Sequence, residues 1–333
     1  MIDNSVTKNR SRTWVRWLRR VAIVMVAGFL LFVFGWVPYF LGGLTTTRRF
    51  QFPDRENAGI TPASFELPFD EVSFGSEDGV TLEGWWVPVA EPAGTVVMVH
   101  GLNRSRIEMV KKVPFVHELG WNALLFDLRH HGDSEGAATT FGVDERMDVR
   151  AAADLARERS PGAVVVWGVS LGGAAAVLAA ADDPRVSGVI CDSSFRSLRD
   201  TVTHHMRELR HWRWWLRVVP SWPVTDLLLY WMGRKGGFDT EAADVLTAAA
   251  RLADRPALFV ANSDDRRMPS QIAFDLAEAV GPSAEVLIVP GESHGGAWRD
   301  GGAAYETAAA ALLEAAGQTK EAAQVAATMR TRE

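Results

Sequence analysis

Cysteine is almost absent from this chain: Cys191 is the only one in 333 residues. A single thiol can neither close an intrachain disulfide nor build a Cys-based zinc cluster. It lies in the apolar run Gly188-Val189-Ile190-Cys191, so it reads as a small core hydrophobe and carries no information on redox compartment. A basic body is also missing. Residues 1–50 hold eight Lys/Arg against one Asp, and the overall net charge of −6 therefore leaves −13 on residues 51–333. Nucleic-acid binding needs a basic surface, so no such partner is expected. No internal repeat is visible, and neither a G-x-G-x-x-G run nor a Walker lysine occurs, which disfavours dinucleotide and P-loop phosphate binding.

What is present begins with a long uncharged stretch. Val21 to Leu44 is 24 residues without a charge. At about 1.5 Å per helical residue it can cross a hydrocarbon core of about 30 Å. It exceeds the apolar core of a cleaved signal peptide, about 7–15 residues. Trp14 and Trp17 precede it, and Trp36 and Tyr39 lie near its far end, as interfacial anchors do. Lys8, Arg10, Arg12, Arg16, Arg19 and Arg20 stand before it and only Arg48 and Arg49 closely after. The positive-inside rule then puts residues 1–20 in the cytoplasm, a single span over 21–44 in the cell membrane, and the large domain on the non-cytoplasmic side.

After a linker over 45–66, marked by Pro53, Gly59 and Pro62, short apolar strands alternate with helices. Phe69–Phe74 and Val80–Val87 read as a hairpin. Thr95–His100, Trp121–Asp127, Ala163–Gly168, Val186–Cys191, Ala257–Ala261 and Ala284–Val289 read as further strands. Helices are expected over Ile107–Leu119, Asp144–Arg159, Leu171–Ala181, Ser270–Val280 and Ala303–Ala316. Continuous apolar strands between helices predict an α/β domain over 67–317, with a mainly parallel sheet covered on both faces. The polar tail, 318–333, is expected to be loose.

The rhythm breaks in a helical insertion at about 195–254, which has the character of a lid. Leu198, Val202, Met206, Leu209, Trp212, Leu216 and Val219 fall at helical spacing. Arg199, Arg207, Arg210, Arg213 and Arg217 fall on another face, and a second helix is expected over Leu227–Met232. Trp214, Trp215, Trp222 and Trp231 crowd the same insertion. Such a lid either packs its aromatics on its own domain or lays an amphipathic face on anionic headgroups. His204, Glu208 and His211 have the spacing of a metal site, but solvated polar residues on a helix explain them as well, and no metal is expected.

The chemistry concentrates in four motifs, the last of them a pair of segments. Gly168-Val169-Ser170-Leu171-Gly172-Gly173 follows a strand and opens an Ala-rich helix, the context of a nucleophile elbow. Val99-His100-Gly101-Leu102-Asn103 ends an earlier strand, and Asp127-Leu128-Arg129-His130-His131-Gly132-Asp133-Ser134 follows the next. Asn262-Ser263-Asp264-Asp265-Arg266-Arg267-Met268-Pro269 and Pro290-Gly291-Glu292-Ser293-His294-Gly295 make an acid and a base segment downstream. In this order the motifs resemble the α/β-hydrolase family, particularly its membrane-anchored and serine-aminopeptidase-like branches, over about Phe69–Ala316.

The resemblance implies an α/β-hydrolase fold with Ser170 as nucleophile, His294 as base and Asp265 as acid. Asp265 aligns through Pro269, but Asn262 stands where the family has glycine, which leaves Asp264 as a second choice. It also implies backbone N–H groups of Leu102 and Leu171 as oxyanion donors, and no cofactor. His100, His130 and His131 are expected to orient loops. A serine hydroxyl needs a base to take its proton, and the base needs a carboxylate to hold its tautomer. The expected reaction is hydrolysis of a small-molecule or lipid-like carboxylic ester through an acyl-enzyme. Amide or peptide hydrolysis and acyl transfer are the alternatives. A non-catalytic, membrane-tethered binding protein would be marked by a lost triad member, and none is lost.

Overall fold

The computed structural model describes residues 4–49, 57–213 and 220–330, with side chains described for 14–49, 57–211, 213 and 220–318. Helix α1, Asn4–Leu31, runs through a π-helical turn at Phe32–Trp36 into α2, Val37–Thr46. Among the described residues one helical stretch, Trp14–Thr46, whose most apolar 18-residue window has a mean hydropathy of 2.4, is long and apolar enough to cross a membrane. Its side chains are exposed from Ala22 through Phe32, and burial starts only at Val33.

The last turns pack on the domain. Pro38, Gly42, Gly43 and Thr46 are buried against the rest of the chain. The Thr46 carbonyl accepts the Thr139 N–H at 2.9 Å, and the Arg49 guanidinium donates to the carbonyls of His131, Gly132 and Ser134. Pro53 lies outside the described residues. A 3₁₀ turn at Pro62–Phe65, closed by a Thr61/Ser64 capping box, completes the approach to the sheet.

The sheet has eight strands in the order β1-β2-β4-β3-β5-β6-β7-β8. The hairpin β1 (Asp70–Gly75) and β2 (Thr81–Val87) is antiparallel, and β2 pairs antiparallel with β4. The other six strands, β3 (Gly94–Val99), β4 (Trp121–Phe126), β5 (Ala163–Val169), β6 (Gly188–Asp192), β7 (Ala257–Asn262) and β8 (Ala284–Val289), pair in parallel. Every residue of β3 to β7 is buried, which accounts for their unbroken apolar sequences.

Helices cover both faces in chain order: α3 (Val113–Glu118), α4 (Glu145–Arg159), α5 (Leu171–Asp182), α6 (Leu198–Trp212), α7 (Ser221–Gly236), α8 (Val245–Ala249), α9 (Gln271–Val280), α10 (Ala297–Gly301) and α11 (Ala303–Arg330). One core layer joins the sheet to α4, α5, α8 and α9, and the other joins it to α3, α10 and α11. Fully buried side chains such as Phe126 and Leu124 each contribute about 1.5–3 kcal/mol by leaving water. A third, smaller cluster joins Leu198 and Val202 of α6 to Leu228, Leu229 and Met232 of α7, with Leu41 of α2 packed against it.

Three expectations are corrected. The single helix expected over Ile107–Leu119 is a 3₁₀ segment, Arg106–Lys112, followed by α3. Pro114 has no N–H to donate, so it sits in the first turn of a new helix. The tail beyond Gly317 is helical to Arg330, not loose, because one glycine costs a helix only about 1 kcal/mol and alanines flank it. The second lid helix is longer than Leu227–Met232 and stops at Gly237, whose φ of 76° is the left-handed turn that glycine adopts without strain. Trp214, Trp215, Leu216, Arg217 and Val219 lie outside the described residues, as does the side chain of Trp212.

Candidate functional site

β5 ends in a turn that the backbone itself makes severe. Ser170 has φ 54° and ψ −112°, a region costly for a residue with a side chain. A Cβ on Gly168 would collide with the Gly172 carbonyl, and one on Gly172 would strike the carbonyls of Val99 and His100. Both glycines are therefore needed for α5 to start this close to β3 and β5. The Ser170 N–H donates to the Asp192 carbonyl at 2.7 Å, and the Ser170 carbonyl accepts from Ala174 at 3.0 Å. The turn is tied at both ends and the hydroxyl projects from the carboxyl edge of the sheet.

Two other strand ends meet it. The His294 Nε2 lies 2.9 Å from the Ser170 Oγ, and its Nδ1 lies 2.7 Å from the Asp265 Oδ2. The Asp265 side chain is 1% exposed and its Oδ1 accepts the N–H groups of Arg267 and Met268 at 2.8 and 3.2 Å. Those two bonds hold the carboxylate's free edge toward His294. Asp264 is exposed, and its carboxylate accepts the Ser263 hydroxyl at 2.6 Å instead. Of the two adjacent aspartates, only Asp265 meets the imidazole. Asn262 donates to the Asp300 Oδ2 at 3.0 Å and packs against Gly291, joining the Asp265 and His294 loops.

The Leu171 N–H opens α5, where no intrahelical acceptor exists for it. Gly101 lies beside the elbow: a Cβ there would sit 3.6 Å from the Ser170 Cβ, so the Leu102 turn borders the hydroxyl. Glu108, unforeseen from the sequence, accepts the Gly101 N–H at 2.7 Å and steadies this turn. Its signal was present in Ser105-x-x-Glu108, a capping-box spacing.

A buried polar group beneath His294 was equally unforeseen. The Ser193 hydroxyl, on a backbone with φ 55°, donates to the Asp192 Oδ1 at 2.7 Å and accepts the Gly295 N–H at 3.3 Å. The Tyr305 hydroxyl donates to the other Asp192 oxygen at 3.2 Å and accepts from the Trp167 indole at 3.2 Å. Burial pushes the Asp192 carboxyl up and the nearby Lys112 ammonium down, each opposed by the other's charge. No sequence motif links these residues, because they come from four separate elements.

The three histidines near the sheet edge hold loops. The His100 Nε2 accepts the Leu128 N–H at 3.0 Å while its Nδ1 donates to the Gly101 carbonyl at 2.8 Å. Burial takes its pKa down to about 3, so the ring is neutral. The His131 Nδ1 donates to the Arg129 carbonyl, and burial lowers this ring too. His130, with φ 63°, places its Nδ1 3.1 Å from the Gly136 carbonyl. Arg129 grips Asp148 and Asp78, and Asp127 accepts from Arg106 and the Asp133 N–H, so this motif is scaffold.

On the lid, the His204 Nε2 lies 2.7 Å from the Arg266 carbonyl, one residue past Asp265, so α6 borders the candidate site. A cleft of about 370 Å³ opens beside His294, lined by Arg104, Asp264, Asp265, Arg266, Arg267 and Glu292.

Residues 90–246 match the family of serine aminopeptidases (Serine aminopeptidase, S33), a stretch that holds Ser170 and the lid but stops short of Asp265 and His294. The chain is 26% identical over 220 residues to the uncharacterized protein YqkD of Bacillus subtilis, covering 64% of this chain and 69% of that one. It is 31% identical over 188 residues to the uncharacterized protein YfhR of Escherichia coli O157:H7, covering 54% and 63%. It is also similar to the structure of an esterase from Pyrococcus furiosus, with a TM-score of 0.63 at 23% identity over 80% of this chain and 97% of that one, a likeness of fold. The eight-stranded sheet with the elbow at the end of its fifth strand is the α/β-hydrolase fold, and over residues 90–246 the chain is similar to the serine aminopeptidases.

Proposed function

We propose that the protein is a serine hydrolase that cleaves a carboxylic ester, with Ser170, His294 and Asp265 as its catalytic residues. The observation that carries this reading is the continuous hydrogen-bonded chain Asp265–His294–Ser170 at a strained elbow. As the Ser170 oxygen attacks the acyl carbon, its proton passes to the His294 Nε2, and Asp265 stabilises the imidazolium without taking the proton. The carbonyl oxygen becomes an oxyanion facing the N–H groups of Leu102 and Leu171, each donor contributing about 3 kcal/mol. Collapse breaks the ester C–O bond, and His294 returns the proton to the leaving alcohol. A water then repeats the sequence on the acyl-enzyme and frees the acid.

The same reading takes the apolar N-terminal helix as a membrane span, with the six basic residues before it on the cytoplasmic side and the catalytic domain on the other. A second reading, cleavage of an aminoacyl amide, draws support from the match to serine aminopeptidases and from Asp264 and Glu292 in the cleft, which suit a substrate ammonium.

Fluorophosphonate labelling tests the nucleophile: the probe should mark the protein and fail on Ser170→Ala. That variant should lose at least about 10³-fold in turnover, as an enzyme without its activated nucleophile does. Labelling and near-native turnover in Ser170→Ala would overturn the assignment. Comparing p-nitrophenyl esters of graded length with aminoacyl p-nitroanilides separates the two substrate readings.

A further inference from the structure

Two buried carboxylates near the sheet edge meet arginines directly. Asp127 takes Arg106 at 2.6 Å and Asp148 takes Arg129 at 2.7 Å, so each charge is opposed at contact. Asp192, the last residue of β6, is as deeply buried, but its carboxylate partners are hydroxyls. It also stands between two groups of the site. Its main-chain carbonyl accepts the Ser170 N–H at 2.7 Å. Its carboxylate reaches the Gly295 N–H, next to His294, through the Ser193 hydroxyl. Ser193 is held at φ 55°, a left-handed conformation costly for a residue with a side chain, while its N–H donates to the Val260 carbonyl at 2.8 Å.

The hydrogens around Asp192 can be counted. The indole N–H of Trp167 and the main-chain N–H of Gly295 can only donate. The first donates to the Tyr305 hydroxyl at 3.2 Å, the second to the Ser193 hydroxyl at 3.3 Å. Each hydroxyl has one hydrogen of its own, and the acceptor facing it is an Asp192 oxygen, 3.2 Å from Tyr305 and 2.7 Å from Ser193. Both oxygens therefore accept, as those of an ionised carboxylate do. A protonated carboxyl would have to donate through one of them.

The counter-charge stands nearby. Lys112, 4% exposed at the end of the 3₁₀ segment, places its ammonium 3.8 Å from the Met109 sulfur and 5.9 Å over the Trp298 ring. Its charge favours the ionised form of Asp192 against burial, and so does a charge on His294. In a medium of low dielectric, a carboxylate bonded to neutral hydroxyls keeps a field that extends past them.

We infer that Asp192 is a second positioning carboxylate for His294. Through Ser193 it fixes the Gly295 turn, and its charge stabilises the imidazolium that forms as Ser170 attacks. The inference rests on the reading of Ser170, His294 and Asp265 as the catalytic residues. The groups facing Asp192 are Lys112, Tyr305, His294 and its neighbour Cys191. Those facing His294 are Asp265, His205 on α6, and Arg104, Asp264, Arg266, Arg267 and Glu292 of the cleft. Of all these carboxylates only Asp265 and Asp192 are buried, where salt and water screen a charge least.

The full-length chain in detergent provides the test, through its rate of inactivation by a fluorophosphonate and its hydrolysis of p-nitrophenyl acetate across pH. Asp192→Asn keeps the shape and removes the charge. The acidic limb of the inactivation profile, where His294 takes up its proton, should then move about half a pH unit or more to lower pH. Ser193→Gly relieves the left-handed strain and removes only the link. Its thermal midpoint should stay within about 4 °C of the unsubstituted protein. Its kcat for the ester should fall about 10-fold or more at unchanged KM, because the His294 turn is less well placed. A folded Asp192→Asn protein whose acidic limb stays in place would overturn the inference. So would Ser193→Gly with unchanged kcat, which decides the case should Asp192→Asn not fold. An unsubstituted chain that the probe never marks would overturn the catalytic reading as well, whereas intact labelling with either unchanged variant overturns this inference alone.

Discussion

At the carboxyl edge of the sheet, the groups around Ser170 are held by buried polar bonds from several elements: two backbone N–H groups on Asp265, the Asp192–Ser193 pair under Gly295, and Glu108 on Gly101. At the lid, seven buried apolar residues form a small cluster, and aromatic side chains beyond it point outward. The first region specifies positions of atoms, because hydrogen bonds fail over a few tenths of an ångström. The second specifies only that two helices stay together, and leaves Trp222 and Tyr230 exposed.

The largest expected effect of a substitution belongs to the sheet edge. Asp265→Asn should lower turnover about 10⁴-fold, since a neutral amide misorients the His294 tautomer. Asp264→Asn, which changes an exposed carboxylate bonded to Ser263, should leave turnover within about 10-fold. Steady-state kinetics of the two variants decide the matter, and the reverse order would move the acid to Asp264.

A smaller effect is expected at the helix pair. Gly42→Leu drives a side chain into Trp231 and should cost about 1–3 kcal/mol, the usual range for overpacking. Hydrogen exchange in detergent should quicken in α7 and leave α5 unchanged. Equal acceleration in both helices would mean that the lid is not a separate unit from the sheet.

The smallest effect concerns His100. Its folded pKa of about 3 lies below the ordinary 6.5, so the fold favours the neutral ring. The stability it contributes is full above pH 6.5 and is lost progressively as pH falls toward 3. Thermal unfolding of His100→Asn should therefore depend less steeply on pH across that window than the unsubstituted protein. An unchanged slope would assign the acid sensitivity to other groups.

Much of this was legible along the chain. Apolar strand runs, the glycines around Ser170 and the order of the four motifs are local or ordinal features, and the sheet follows from them. Asp265 against Asp264 was not decidable from spacing, because adjacent loop residues turn their side chains in different directions and only the fold shows which one meets His294. Glu108, Ser193, Asp192 and Tyr305 escaped for another reason. They lie on different elements, far apart in sequence, and each looks ordinary beside its own neighbours. The helical tail was missed because polarity suggested solvent, whereas alanine content governs helix formation.

By itself, then, the sequence determined an α/β alternation, an elbow that only glycines permit, and one apolar helix long enough to span a bilayer. These are properties of periodicity, steric size and length, which neighbouring residues settle among themselves. The tertiary structure alone decided which carboxylate reaches His294, what supports the loops beneath it, and that α7 runs beside the end of the apolar helix. Those outcomes depend on the relative placement of elements, which long-range packing sets and no local pattern encodes.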